Sequence, residues 1–257
     1  MDKAPAAGRA AAPASLRSLF SNADVGDTKS RILAAAFRRL AKEGYAALSI
    51  REIARDAGVN HALINYHFRS KDHLVIAVLD EANRRLIERQ QQMYAAPGDF
   101  AQKWEQARRF YADDLASGFV RVQAELWAAS LANEDLRAKF LPRIQAWKQV
   151  VLAAVRDAVG TLRDSGVALP EPFTAEVIAT WITEFWLGME FADLIGVREE
   201  RKSHQAALDA MQRLLEIVDE RIRNASSAQA TGKRRARSSG GNGRTGDSVV
   251  RRRQLVR

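Results

Sequence analysis

Apolar residues recur at helical spacing through most of this chain and nowhere alternate over a useful strand length. In DTKSRILAAAFRRLAKEGY the positions Ile32, Leu33, Ala36, Phe37 and Leu40 form one stripe, with Asp27 or Thr28 placed to cap its start and Gly44 to end it. Ser49 is set to cap a second helix, and Glu52, three residues on, would complete a capping box. That helix turns Ile53, Ala54 and Ala57 inward and stops at Gly58, which takes a left-handed conformation at no steric cost. Asn60 is positioned to cap a third helix through Phe68, and Ser70 a fourth starting near Lys71.

From there helix follows helix. KDHLVIAVLDEANRRLIERQQQMY is long and amphipathic and ends at Pro97-Gly98, and DFAQKWEQARRFYADDLASG keeps Phe100, Trp104, Ala107, Tyr111 and Leu115 close to one face. FVRVQAELWAASL comes next, then NEDLRAKFLPRIQAWKQVVLAAVRDAVG with a proline at Pro142, a kink or a boundary. TLRDSGVALPEP is the clearest loop, and two further helical stretches close the body. The fold class is all-α. The organisation expected is an Ala/Pro/Gly-rich disordered arm over residues 1–26, a helix-turn-helix domain over 27–72, a larger helical domain over 73–225 and a disordered basic tail over 226–257.

Charge sharpens these divisions. The net charge of +9 resolves into zero over residues 1–27, +5 over 28–72, −4 over 73–225 and +8 over 226–257. Two basic segments are therefore suited to neutralise phosphates and the acidic middle is not. The tail reads either as a solvated end or as an electrostatic arm, with its charge favouring the arm. Cysteine is absent, which removes disulfides, thiolate metal sites and cysteine nucleophiles. Without an apolar run long enough for a membrane span or a secretory signal, the expectation is a cytoplasmic protein with no membrane partner.

The pair of short helices raises the candidate chemistry. A recognition helix held across a tight turn needs a turn glycine, a small residue at the crossing and apolar inward positions. Gly58, Ala54 and the set Ile53, Val59, Ile64 and Phe68 meet those needs, although spacing alone leaves two ordinary packed helices as an equal reading. The order of elements adds to this. From Thr28 to about Leu79 the chain resembles the N-terminal domain of the TetR/AcrR-type transcriptional regulators. The match runs through Gly44-Tyr45, LSIREIARDAGV and the exit His67, Phe68, Ser70, Lys71 and Leu74. AELWAASLANEDLRAKF resembles, more loosely, the choline-repressor-like branch.

The resemblance implies a homodimeric repressor that binds a two-half-site DNA operator and is released by a small-molecule effector, with no cofactor and no enzymatic activity. Ser49, Tyr66 and Lys71 are then placed for phosphates, Arg51 equally for a phosphate or as a solvated surface charge, and Asn60, His61, Ala62 and Asn65 line the start and outer face of the reading helix. Leu63 stands where relatives carry threonine and Asn65 where they carry tyrosine, so two backbone-directed hydroxyls are missing. Asparagine can pair with an adenine edge, and leucine or alanine can touch a thymine methyl. Asn65 is thus the candidate base reader, Asn60 chiefly a cap, and His67 a phosphate or turn contact rather than a metal ligand.

In the body, Trp104, Tyr111, Trp127, Phe140, Trp147, Phe185 and Met189, with the polar Asn133 and Glu184, are the candidates to line an effector pocket, each of the large ones being equally at home in a plain core. Trp181, Gly188, Ala192 and Ile195 on one helix and Leu208, Met211, Leu215, Val218 and Ile222 on the next are the candidate dimer face. Other constellations fall away. Gly241–Gly246 spells a dinucleotide fingerprint, but in a Ser/Gly/Arg tail and not between strand and helix. The histidines 61, 67, 73 and 204 carry no zinc-ligand spacing. A ligand-independent architectural DNA binder and an all-α enzyme are the competing classes.

Overall fold

The computed structural model describes residues 27–196 and 198–239. Nine helices follow one another among them: α1 (Thr28–Ala47), α2 (Ile50–Ala57), α3 (His61–Phe68), α4 (Lys71–Ala95), α5 (Phe100–Ser117), α6 (Phe119–Ala132), α7 (Glu134–Asp164), α8 (Ala175–Ile195) and α9 (Arg198–Ser239). The described residues hold no strand, so the chain is all-α. The arm expected over residues 1–26 and the fingerprint at Gly241–Gly246 lie outside the described residues.

Most of the caps form where the sequence places them. Asp27 accepts the Ser30 amide at 2.6 Å, Asn60 accepts that of Ala62 at 2.8 Å, and Ser70 accepts that of His73 at 3.2 Å. Each satisfies an amide with no partner inside its own helix. The box predicted at Ser49 does not form: the serine side chain makes no capping bond. Glu52 is drawn instead to Arg39 of α1, 2.6 Å away. Pro142 lies inside an unbroken α7 and marks no boundary. Gly44 interrupts α1 with φ +82°, a conformation that only glycine adopts without strain.

A continuous apolar core joins α1, α2, α3 and the first turns of α4 to α6 and α7, with Ile32, Leu40, Ile53, Ile64, Leu74 and Leu126 fully buried. Each such side chain stabilises the fold by about 1.5–3 kcal/mol relative to exposure. A smaller cluster, Val151, Val155 and Ala179, pins α7 to α8. The last helix is tied back by Asp219, which is buried and accepts the Phe100 and Ala101 amides at 3.1 and 2.9 Å at the start of α5. α9 continues to Ser239, so the stretch expected to be disordered from residue 226 begins as helix. Alanine, glutamine, lysine and arginine there are good helix formers, and extending a helix already nucleated is far easier than starting one.

Candidate nucleic-acid interface and effector cavity

Helix α3 has two inward anchors, Ile64 and Phe68, one helical turn apart and nearly fully buried. Everything else on it faces solvent: His61, Ala62, Leu63, Asn65, Tyr66 and His67 are all exposed, Tyr66 by 80%. Asn60 is exposed as well, but its carboxamide oxygen is held by the cap it makes. Arg51 is exposed and Ser49 half-buried. Lys71 differs from a free phosphate-seeking lysine. Its ammonium sits 4.5 Å from the centre of the Tyr45 ring and donates to the Ala46 carbonyl, and burial lowers its pKa.

The face opposite α3 is fastened by one arginine. Arg39 pairs with Glu43 at 2.9 Å within α1, and with Glu52 and Asp56 at 2.6 Å each on α2. Its guanidinium is raised further above its ordinary range, first by the Asp56 hydrogen bond, and holds the Asp56 carboxyl low. A planar fork with several donors suits this bridging, which a lysine could not reproduce. The crossing angle of the two helices, and with it the projection of α3, is fixed from behind.

Sequence reasoning missed the joint between this head and the body. The Glu125 carboxylate on α6 accepts the Tyr45 amide at 3.0 Å. A side chain at Gly44 would come within 2.6 Å of that carboxylate and displace it from the Tyr45 amide, while the positive φ is what calls for glycine. The Tyr45 hydroxyl donates to Asp72 at 2.5 Å, at the start of α4. Desolvation, with that hydrogen bond second, pushes the tyrosine up to about 12.

The body encloses a cavity of about 60 Å³ bounded by α4, α5, α6, α7 and α8. Of the predicted lining residues, Tyr111, Phe140 and Trp147 reach it; Trp104, Trp127, Asn133, Glu184, Phe185 and Met189 do not. Asn133 caps α7 through the Leu136 amide at 2.9 Å. Glu184 faces outward and pairs with Lys148. Trp104 packs 5.2 Å from Trp186 and donates its indole N–H to the Leu208 carbonyl, while Trp127 meets Phe140 and Phe191 edge to face. Trp186, not singled out in the sequence, is the tryptophan of α8 at the cavity wall.

Charge inside this cavity is the larger surprise. Arg89 of α4 and Asp114 of α5, each about 4% exposed, form a buried ion pair, and the guanidinium lies 4.4 Å from the Phe110 ring centre. Glu190 of α8 lines the same cavity. Burial pushes Asp114 up to about 6, with Arg89 opposing, and pushes Glu190 up to about 8, with the Asp114 charge adding to it. Among the described residues no three His, Asp or Glu side chains gather to hold a metal.

The outer face of α8 leaves Trp181 57% and Ile195 78% exposed, with Gly188 exposed and Ala192 half-buried. On α9, Met211, Leu214 and Ile217 are exposed and Leu215, Val218 and Ile222 half-buried. Leu208 is the exception in the predicted dimer set: it is 5% exposed, packed inside its own chain. Leu214 and Ile217 take the outward apolar positions that the sequence reading missed. No described helix is long and apolar enough to cross a membrane.

Residues 32–78 match the family model described as bacterial regulatory proteins, tetR family. The HTH-type transcriptional repressor Rv3405c of Mycobacterium tuberculosis is 47% identical over 60 residues, covering 23% of this chain and 32% of the relative. The matched stretch thus spans about a third of that relative's length. Among solved structures, the transcriptional regulator FadR from Bacillus subtilis, in complex with stearoyl-CoA, superposes with a TM-score of 0.58 at 18% identity over 72% of this chain and 96% of its own. A transcriptional regulator from Saccharomonospora viridis in complex with choline gives 0.53 at 22% identity, over 75% and 95%. At these identities the two structures show a shared fold, a helix-turn-helix head on a helical body.

Proposed function

We propose that this chain is a ligand-responsive DNA-binding transcriptional regulator, a repressor that a small molecule releases from its operator. One observation carries the reading: within the segment that matches the family, α3 buries only Ile64 and Phe68 and turns His61, Ala62, Leu63, Asn65, Tyr66 and His67 outward. The DNA-binding unit is residues 27–72 and the effector-binding and dimerisation unit 73–225. Two copies joined through α8 and α9 set two heads on successive major grooves, about 34–36 Å apart. An effector shifts this equilibrium only by its difference in affinity between the DNA-competent and splayed shapes. The exposed apolar face of α8 and α9 supports the dimer, and the polar cavity supports the effector. The finer placement in the choline-repressor-like branch is supported by the S. viridis neighbour and its choline alone.

In the head, Ser49, Arg51 and Tyr66 contact phosphates, Lys71 does so only on leaving the Tyr45 ring and the Ala46 carbonyl that hold its ammonium, and Asn65 reads a base while Asn60 chiefly caps. A gel-shift titration against DNA upstream of the chain's own gene, at two salt concentrations, tests the whole. Saturable, sequence-dependent binding supports the regulator. Binding indifferent to sequence would make it an architectural protein, and none at either salt would leave a non-DNA function. Asn65→Ala should flatten the preference at one base pair per half-site, by about 1–3 kcal/mol. Unchanged relative preferences among operator variants would remove Asn65 from base reading.

A further inference from the structure

The cavity wall is aromatic, with Trp147, Trp186, Tyr111, Phe110 and Phe140 around it. Its charges do not balance. Arg89 is committed to Asp114, and Arg143, on the α7 side, to Asp80 at 2.6 Å and to the Lys139 carbonyl. Glu190, half-buried, is the one carboxylate or guanidinium of the wall with neither an ion-pair partner nor a hydrogen bond among the described residues. The hydrogen-bond capacity left over near it includes two acceptors without a protein partner, Asp114 Oδ1 and Gln90 Oε1. The spare donors of Arg89 lie against the Phe110 ring, which already meets a cation's preference for a π-face.

A second space adjoins the first. A groove of about 390 Å³ runs between the end of α4 and the start of α5, and Met93 and Phe110 line both spaces. Arg89 lines the groove and its partner Asp114 the cavity, so the ion pair sits on the partition. A ligand reaching from one space into the other meets an acid-rich end within and an apolar and amide-rich channel without.

We infer that the effector is a protonated primary or secondary amine on an apolar chain or ring, its ammonium held between Glu190, Asp114 and Gln90 and its apolar part passing Phe110 and Met93 into the groove. The inference rests on the reading of the body as an effector chamber, and it adds the chemical class. N–H donors matter because Glu190, Asp114 Oδ1 and Gln90 Oε1 are acceptors, while the unpartnered nitrogens, Arg89 Nε and Nη1 and Arg143 Nε, belong to cations already paired with Asp114 and Asp80; a quaternary ammonium supplies charge but no donor. A carboxylate would face Asp114 directly, and Glu190 as well once it ionises, a like-charge contact in a poorly screened site. As the ammonium enters, it competes with Arg89 for Asp114. Arg89 belongs to α4, the helix that begins at the head, so exchange of one cation for another on Asp114 alters the packing of that helix.

The experiment uses the full chain without DNA and four probes of one length: hexylamine, hexyltrimethylammonium, hexanol and hexanoate. Binding is read by calorimetry and by fluorescence of the tryptophans at the cavity wall. Hexylamine should bind tightest, at least about tenfold above each of the others, which is about 1.4 kcal/mol. Glu190→Gln should remove that advantage while leaving hexanol affinity unchanged, and Glu190→Asp should restore part of it. Hexanoate or hexanol binding as well as the amine would overturn the inference, as would a Glu190→Gln chain that keeps full amine affinity. Equal binding of hexyltrimethylammonium would overturn the donor requirement. Amine binding that leaves operator affinity unchanged would instead sink the regulatory reading and leave the ligand class standing.

Discussion

The head and the body of this molecule distribute polarity in opposite senses. In the head, Ile32, Leu40, Ile53 and Ile64 are fully buried and α3 turns His61, Asn65 and His67 outward beside Leu63 and the amphipathic Tyr66. In the body, Arg89, Asp114 and Gln123 are inside while Trp181, Ile195 and Leu214 are outside. A polar interior lowers stability unless its groups find partners, and an exposed apolar face raises the free energy of a lone subunit. Under the proposed function the head is a finished unit that would meet a charged polymer. The body would be an unfinished one, to be completed by a second copy on its outer face and by a small molecule within.

The contrast can be broken in order of expected effect. Phe68→Ala should cost about 3–5 kcal/mol, the range for emptying an aromatic site in a core, and should abolish operator binding. All five tryptophans lie in the body. Trp127 and Trp147 pack against the core that contains Phe68, so their fluorescence should share the lowered denaturant midpoint of far-ultraviolet circular dichroism; two separate midpoints would show that head and body unfold apart. The double variant Trp181→Glu, Ile195→Glu should sediment as a monomer and lose about 10²–10⁴-fold in operator affinity, the advantage of holding two heads together. A dimer that survived both charges would move the interface elsewhere.

Inside the body the test is pH. Glu190 is raised from 4.5 to about 8 in the folded chain. Its protonated form is the one the fold favours, so the stability it contributes is present below about pH 4.5 and is lost as pH rises through about 8. The groups facing the same cavity are Asp114, Arg143, Tyr94 and Tyr111, with Arg89 behind Asp114. Glu190→Gln should match the wild type near pH 5 and melt several degrees higher at pH 8.5, each kcal/mol being about 2–4 °C in a chain of this size. Parallel melting curves across that range would show that the carboxyl does not titrate as described. The smallest effect belongs to the joint. Gly44→Ala, strained at positive φ and pressed on Glu125, should cost about 1–3 kcal/mol and weaken operator binding, with Glu125→Gly added to it relieving the clash but not the backbone strain.

The same contrast explains what could be read from the sequence. The head's helices, turn glycine and most of its caps follow from short-range chemistry, in which a side chain satisfies an amide two or three residues away. The one cap that failed, at Ser49, failed because Glu52 is claimed by Arg39 from another helix, which local spacing does not record. The cavity was legible only as a class of site. Large aromatics occupy several faces of each helix, and nothing in their spacing told Trp186 from Trp104. A better signal was present in the charged letters lying on apolar stripes: Arg89 in step with Leu86 and Met93, Asp114 with Phe110, Glu190 with Thr183 and Leu187. A charge at an inward position demands a partner or a purpose, whereas a tryptophan there demands neither. The outward face of α9 was off by a fraction of a turn, enough to include Leu208 and omit Leu214.

Tyr45 fixes how motion can travel through this chain. Its amide is anchored to α6, its hydroxyl to the first turn of α4, and its ring carries the Lys71 ammonium. These contacts tie the end of α1 to α6 and to the first turn of α4, so one residue joins three helices. α6 also presents Phe119 and Gln123 to the cavity. The cavity wall and the base of the head are therefore linked by a bonded route through Tyr45, two hydrogen bonds long.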